Sequence, residues 1–216
     1  MYIFQLEREL LRKQVKTYTD KYVSGKVLNV GSGTSERYPF QAQASEYVRM
    51  DIVPGPNVDA VGRAEAIPFP DSSFDTVVST QVFEHVENPE LAAAEVSRVL
   101  KKGGRLVITV PQWNELHEEP HDYWRYTKFG LQALFERHGC RLMEMEQRGG
   151  YHAVRAQMGM RFAIDKWRLH SRPVLGRIAS RIFKCWGGLA MWRDRKDASV
   201  ANRKHAIGWC AVFQKL

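Results

Sequence analysis

Apolar side chains at Ile3, Leu6, Leu10, Leu11, Val15, Tyr18 and Tyr22 recur at three- and four-residue steps, which predicts an amphipathic helix over residues 3–23. The period then changes. Residues 26–30 form a short apolar run closed by Gly31-Ser32-Gly33, the pattern of a buried strand ending in a tight turn. Residues 47–50 predict a second strand, followed by Asp51 and the chain-breaking Pro54-Gly-Pro56; residues 58–62 predict a weak third, and the β-branched run 74–80 a fourth. Pro89 opens a helix carried by Leu91, Val96, Val99 and Leu100, with Lys101 and Lys102 in its last turn and Gly103-Gly104 as its stop. Residues 105–110 are the clearest strand, ended by Pro111. Thr127 is placed to cap a helix over 128–138 that Gly139 ends, and residues 141–147 and 206–213 predict strands six and seven. Strands alternating with helices predict an α/β fold: a doubly wound, Rossmann-like, seven-stranded, mostly parallel sheet with helices on both faces.

The 216 residues suit one domain, read as an N-terminal helix (1–24), a core sheet (25–149 and 205–216) and a basic helical insertion (150–204). Three dispersed cysteines, Cys140, Cys185 and Cys210, argue against a disulfide framework and for a reducing compartment. Charges scattered through the first thirteen residues, and the lack of any run of roughly 18 apolar residues, lead us to expect a cytoplasmic protein that is neither secreted nor membrane-spanning. The net charge of +8 is concentrated late: residues 151–204 hold 13 Lys or Arg against 3 Asp. Within them Val174, Ile178, Ile182, Trp186 and Leu189 make an apolar stripe at helical spacing, with Arg172, Arg177, Arg181 and Lys184 off it. Three readings stay open for 172–192. In order of preference these are a helix covering an acceptor pocket, peripheral contact with an anionic membrane surface at its inner face, and nucleic-acid contact, the last disfavoured because no RNA-binding motif accompanies the charge.

Ligands of open parallel sheets sit at the carboxyl ends of the strands. That rule draws Gly31–Gly33, Asp51, Arg63–Ala66, Thr80–His85 and the segment after Pro111 to one edge. Glycines let a ligand approach backbone closely. Asp51, 20 residues after Gly31, can accept both hydroxyls of a ribose. These features fit both NAD and S-adenosyl-L-methionine. Glu36 stands where a dinucleotide site wants its third glycine, and its carboxylate would repel a pyrophosphate, which disfavours NAD.

Four pieces carry a more specific resemblance: Val27 to Thr34; Ala64-Glu-Ala-Ile-Pro-Phe-Pro-Asp-Ser-Ser-Phe-Asp75; Val82-Phe-Glu-His-Val86; and Glu95-Val-Ser-Arg-Val-Leu-Lys-Lys-Gly-Gly-Arg-Leu-Val-Ile108. In this order and spacing, residues 27–110 resemble the small-molecule (type 11-like) class I S-adenosylmethionine-dependent methyltransferases, which include quinone-biosynthesis enzymes. The resemblance implies that Gly31, Ser32 and Gly33 pass under the methionine part of the cofactor. It implies that Asp51 holds the ribose, Ile52 packs on adenine, the Ala64 amide meets an adenine nitrogen, and the backbone at Thr80 and Gln81 faces the amino group and sulfonium. Two positions depart from the family pattern. Asn29 replaces an acid, and Arg63 replaces an Asp and cannot accept a bond from the adenine amino group, so that recognition falls to Glu65 or to backbone. For Glu84-His85 a structural or loop-ordering role is favoured over catalysis. The family commonly joins strands six and seven by a short turn; here about 55 residues intervene.

The segment Pro111-Gln-Trp-Asn-Glu-Leu-His117-Glu-Glu-Pro-His121-Asp-Tyr-Trp-Arg-Tyr-Thr127 leaves the fifth strand at the ligand edge. It resembles a His-x-x-Pro-x-Asp-Tyr-Trp-Arg-x-Thr pattern in a bacterial subgroup of these methyltransferases, associated with surface-polysaccharide or glycolipid synthesis. His117-Glu-Glu-Pro-His121 also fits the zinc-protease string, but Pro120 denies it the helix that chemistry needs, and no metal is expected. His117 or His121 is a candidate base, with Asp122 to orient it and Arg125 to hold an anionic group or to tie the segment down; Tyr123, Trp124 and Tyr126 are read as packing. The expectation is therefore a methyltransferase that uses S-adenosyl-L-methionine on a small-molecule or glycan/lipid-linked acceptor, at oxygen. The alternatives are a non-catalytic binding module and, behind it, an NAD-dependent oxidoreductase.

Overall fold

A computed structural model of the chain describes residues 2–33 and 40–216. Thr34 and Glu36, and the helix expected after the glycine turn, lie outside the described residues. Helix α1 (Leu6–Tyr22) leads into β1 (Gly25–Val30), β2 (Ala44–Asp51), β3 (Ala60–Val61) and β4 (Phe74–Thr80). Helix α2 (Pro89–Val99), β5 (Leu100–Pro111), α3 (Lys128–Glu136) and β6 (Cys140–Arg148) follow. Then come α4 (Tyr151–Lys166), α5 (Pro173–Lys196), α6 (Val200–Arg203) and β7 (Gly208–Lys215). The fold is α/β, and the strands form one seven-stranded sheet in the order β3-β2-β1-β4-β5-β7-β6. The pairs β2/β3, β1/β2, β1/β4 and β4/β5 are parallel.

By packing, the chain divides into two compact units, one of Val15–Pro111, Leu116–Glu146 and Trp209–Leu216, the other of Met1–Gln14, Gln112–Glu115 and Gln147–Gly208. In the first, the central strands are near-continuous apolar runs, as strands covered on both faces must be: Val27, Leu28, Val77, Val78, Leu106, Ile108, Val212 and Phe213 are all buried. Each contributes roughly 1.5–3 kcal/mol by leaving water. Asn88 caps α2 by accepting from the Leu91 N–H at 3.1 Å, with Pro89 opening the first turn. Thr127 caps α3 through the Gly130 N–H at 3.1 Å, and Gly139, at φ +74°, follows its end.

The end of α2 corrects the sequence expectation. The helix stops at Val99 and Leu100 is already extended, so Lys101–Gly104 belong to β5 and not to a last helical turn. The cause is pairing: Leu100 aligns with Phe74 on β4, and the Lys101 ammonium lies 2.8 Å from Asp75. The third strand is also shorter than its pattern, two residues only.

The second unit is helical. Its core joins Ile3 and Leu6 to Ala153, Ala156, Met160 and Ile164 of α4, Phe183 and Ala190 of α5, and Ile207. Gly150 offers α4 no side-chain cap; Asp194 of α5 supplies it, accepting from the N–H groups of Gly150, His152 and Ala153 at 2.7, 3.0 and 3.1 Å. Arg148 is fully buried, its Nε donating to Gln14 Oε1 at 3.1 Å and its Nη1 standing 3.4 Å from Glu7 Oε1. Helix α5 buries Gly176, Phe183, Gly187 and Ala190, whereas the predicted stripe Val174, Ile178, Ile182, Trp186 and Leu189 is 40–65% exposed. No described helix is long and apolar enough to cross a membrane.

Candidate functional site

Strand order reverses between β1 and β4, which opens a crevice at their carboxyl ends. The chain leaves β1 by donating the Gly31 and Ser32 amides to Met50 O at 2.9 and 3.0 Å, which bends it over the end of β2. Gly31 has φ +71°, and a Cβ there would stand 2.3 Å from Val82 Cγ2, so both conformation and space demand glycine. Gly33 has φ +69°, and nothing lies within 4 Å of where its Cβ would be among the described residues. Its N–H donates to Asp51 Oδ2 at 2.8 Å, while Asp51 Oδ1 accepts from the Val53 N–H at 3.1 Å. The glycine turn and the acid are therefore one hydrogen-bonded unit, and each carboxylate oxygen retains a second lone pair for a ligand. Ile52, beside it, is 63% exposed.

At the end of β4, Gln81 is held at φ +54°, a conformation that costs a non-glycine residue about 1–3 kcal/mol. Two contacts to β5 hold it, from its N–H to Thr109 O at 3.0 Å and from Nε2 to Thr109 Oγ1 at 3.2 Å. Thr80, half-buried, precedes it. Asn29 is buried and its Nδ2 donates to Tyr47 OH at 2.8 Å, a partner on β2 that the sequence reading did not identify. Arg63 lies 3.3 Å from Glu65, so the departure and its proposed replacement pair with each other. Ala64 is buried. This loop is clamped from α2: Glu95 accepts from the Ile67 N–H at 2.8 Å, and Arg98 donates to Ile67 O, Phe69 O and Asp71 at 2.8–2.9 Å. Two motifs distant in sequence, 64–75 and 95–108, thus meet at one clamp.

On the acceptor side, residues 117–121 form no helix. The segment is pinned instead to the turn after β4. The Tyr123 and Trp124 N–H groups donate to Glu84 O at 2.8 and 3.1 Å, Trp124 Nε1 to Val86 O at 2.9 Å, and Tyr126 OH to Phe83 O at 2.9 Å. Asp122, its side chain 1% exposed, receives both arms of Arg125 at 2.7 Å and the His117 N–H at 3.0 Å, with His117 Nδ1 at 3.3 Å. Burial opposes the charge on Asp122; the Arg125 and His117 hydrogen bonds and charges outweigh it and hold the carboxyl down at about 2. His121 is exposed and its Nδ1 lies 3.1 Å from Tyr123 OH, so Asp122 faces His117 and not His121. His85 stands edge-on to His117, ring centroids 4.9 Å apart.

Residues 28–108 match the family described as a methyltransferase domain. The chain is 33% identical over 125 residues to a demethylmenaquinone methyltransferase of Paenarthrobacter aurescens, covering 50% of this chain and 49% of that one. It spans less than half the length of the first curated relatives it matches, at 25%, 40% and 49%. Among solved structures it superposes on an S-adenosylmethionine-dependent methyltransferase from Mesorhizobium loti with a TM-score of 0.54, 13% identity, and 94% and 96% of the two chains covered. It also superposes on the [4+2]-cyclase SpnF with a TM-score of 0.60, 19% identity, and 96% and 80% covered. These structures establish the fold.

Proposed function

We propose that this chain binds S-adenosyl-L-methionine and moves its methyl group to a small-molecule or glycan/lipid-linked acceptor, at an oxygen atom. The observation that carries the reading is the Gly33–Asp51 hydrogen bond at the point where the sheet order reverses, inside the segment that matches methyltransferase domains. The residues present suit an adenosyl ligand: a carboxylate with spare lone pairs for ribose hydroxyls, an exposed apolar Ile52 for a flat base, and a side-chain-free position at Gly33. When bound, the sulfonium supplies an electrophilic methyl group.

The chain's own work is alignment, which can be worth roughly 7–11 kcal/mol, and proton removal from a hydroxyl. His117, steered by Asp122, and the more exposed His121 are the candidate bases. The fork of Arg125 is engaged on Asp122, so its part is read as positioning rather than as holding an anionic acceptor. A second reading, methylation at carbon, is favoured by a Saccharophagus degradans relative named as a ubiquinone/menaquinone biosynthesis C-methyltransferase, 41% identical over 66 residues. A radiolabelled methyl transfer assay on a prenylated quinol and on glycolipid hydroxyls separates the two.

The proposal is tested by thermal shift with S-adenosylhomocysteine and with NADH. Stabilisation by the first alone, lost in Asp51→Ala, is the expected result. Stabilisation by NADH alone would favour an oxidoreductase, and by neither a non-catalytic binding module. We further propose that α5 rests on an anionic membrane surface, supported by its exposed apolar stripe beside Arg172, Arg177, Arg181 and Lys184.

A further inference from the structure

We propose that Glu84, His85 and His117 bind a divalent first-row transition-metal ion, with zinc the natural occupant. One ligand atom from each residue lies within 4.8 Å of the other two. Three donors at about 2.1 Å from a shared ion stand roughly 3.5 Å apart, so an ion would draw this set inward on binding. The donors come from two places, the turn after β4 and the segment after β5, and that segment is fastened to the turn through Glu84 O, Val86 O and Phe83 O.

The surroundings of the two histidines argue for an ion more strongly than proximity does. Metal-binding imidazoles are steered by a second partner, a carboxylate or a backbone carbonyl, on the other ring nitrogen. Both arrangements are present. His85 Nδ1 lies 2.6 Å from His121 O, and His117 Nδ1 lies 3.3 Å from Asp122 Oδ2. A carbonyl accepts only from a protonated nitrogen, so His85 donates through Nδ1 to His121 O and its Nε2 is the ring atom to offer an ion; on His117 the Asp122 carboxylate faces Nδ1 in the same way. Glu84 adds a carboxyl group with 0% exposure beside them, and a cation there would favour its ionised, ligating form. Two imidazoles and one carboxylate leave open positions, and this donor set selects zinc, iron(II) or cobalt(II) over the oxygen-seeking magnesium and calcium. The binding stands whether or not the chain transfers methyl groups. If it does, the ion would polarise an acceptor hydroxyl, and with His117 as ligand the proton falls to His121.

The test uses the full chain, dialysed against chelator and titrated with cobalt(II), read by visible ligand-field absorption and by calorimetry. One equivalent is expected to bind, to be displaced by zinc and not by magnesium. His117→Ala and His85→Asn should each weaken binding more than tenfold, and Asp122→Asn, by loosening His117, about tenfold to a hundredfold. Unfolding curves and S-adenosylhomocysteine affinity, measured on the same samples, separate loss of the ion site from loss of the fold or of the cofactor site. Absence of cobalt binding, displacement by magnesium, or stoichiometric binding unchanged in folded His117→Ala and His85→Asn overturns the proposal.

Discussion

Single residues decide how the two halves of the site hold their shape. Gly31→Ala forces a Cβ into Val82 at 2.3 Å while the backbone stays at φ +71°. A loss of stability of at least ~1–3 kcal/mol from the conformation alone is expected, read as a fall in urea midpoint, and Val82→Ala should restore only the steric part. Asp122 gives a pH signature. Its folded carboxyl titrates at about 2, below the usual range, so the Asp122–Arg125–His117 knot contributes fully above about pH 4 and is lost as pH falls towards 2. An Arg125→Lys variant, without the two-armed fork, should flatten that part of an acid-unfolding profile. His121 lies outside this knot and is exposed, so His121→Ala should lower turnover with the true acceptor and leave S-adenosylhomocysteine affinity unchanged. Unchanged turnover would remove it from the mechanism. The glycine turn and Asp51 were legible in the sequence because strand ends and glycines are local signals. The direct Gly33–Asp51 bond, the Val82 contact and the partnering of Asn29 by Tyr47 were not, since each joins one strand or the turn after it to another.

Among the elements, α5 shows how a helical period can be read correctly while its direction is not given. The repeat Val174, Ile178, Ile182, Trp186 and Leu189 predicted an amphipathic helix, and the helix is there. Its buried line, though, is Gly176, Phe183, Gly187 and Ala190, three small residues that admit close approach and one phenyl ring that fills the core, while the predicted apolar stripe is exposed. Neighbouring positions should then behave oppositely. Phe183→Ala empties a core site and should cost about 3–5 kcal/mol. Ile182→Asp should leave the unfolding midpoint within about 0.5 kcal/mol of the parent and yet weaken flotation with anionic liposomes. If the parent chain does not float at low salt, α5 is not a membrane contact. Element ends were less legible than element cores. Lys101–Gly104 read as the stop of α2 but extend β5, because pairing of Leu100 with Phe74 overrides a local Gly-Gly signal. Helix α4 begins at a glycine and takes its cap from Asp194, 44 positions on, which no local rule could find.

For the whole molecule, fold and reaction are separate inferences. A methyltransferase and a cyclase both superpose on this chain at under 20% identity, so the sheet alone selects no chemistry. Cofactor binding is tested by thermal shift, but turnover requires the acceptor. The sequence by itself determined the alternation of strands and helices, the seven-stranded class and the edge that carries the glycine turn and Asp51. Those follow from side-chain period and backbone conformation, which act over a few residues. Tertiary structure decided what no period encodes: that Glu95 and Arg98 clamp the 64–71 loop, that Arg148 is buried against Glu7 and Gln14, that Asp122 turns to His117, and that His117 meets Glu84 and His85. Charge pairs and hydrogen bonds select partners by distance and orientation in space, and chain separation leaves no trace of either.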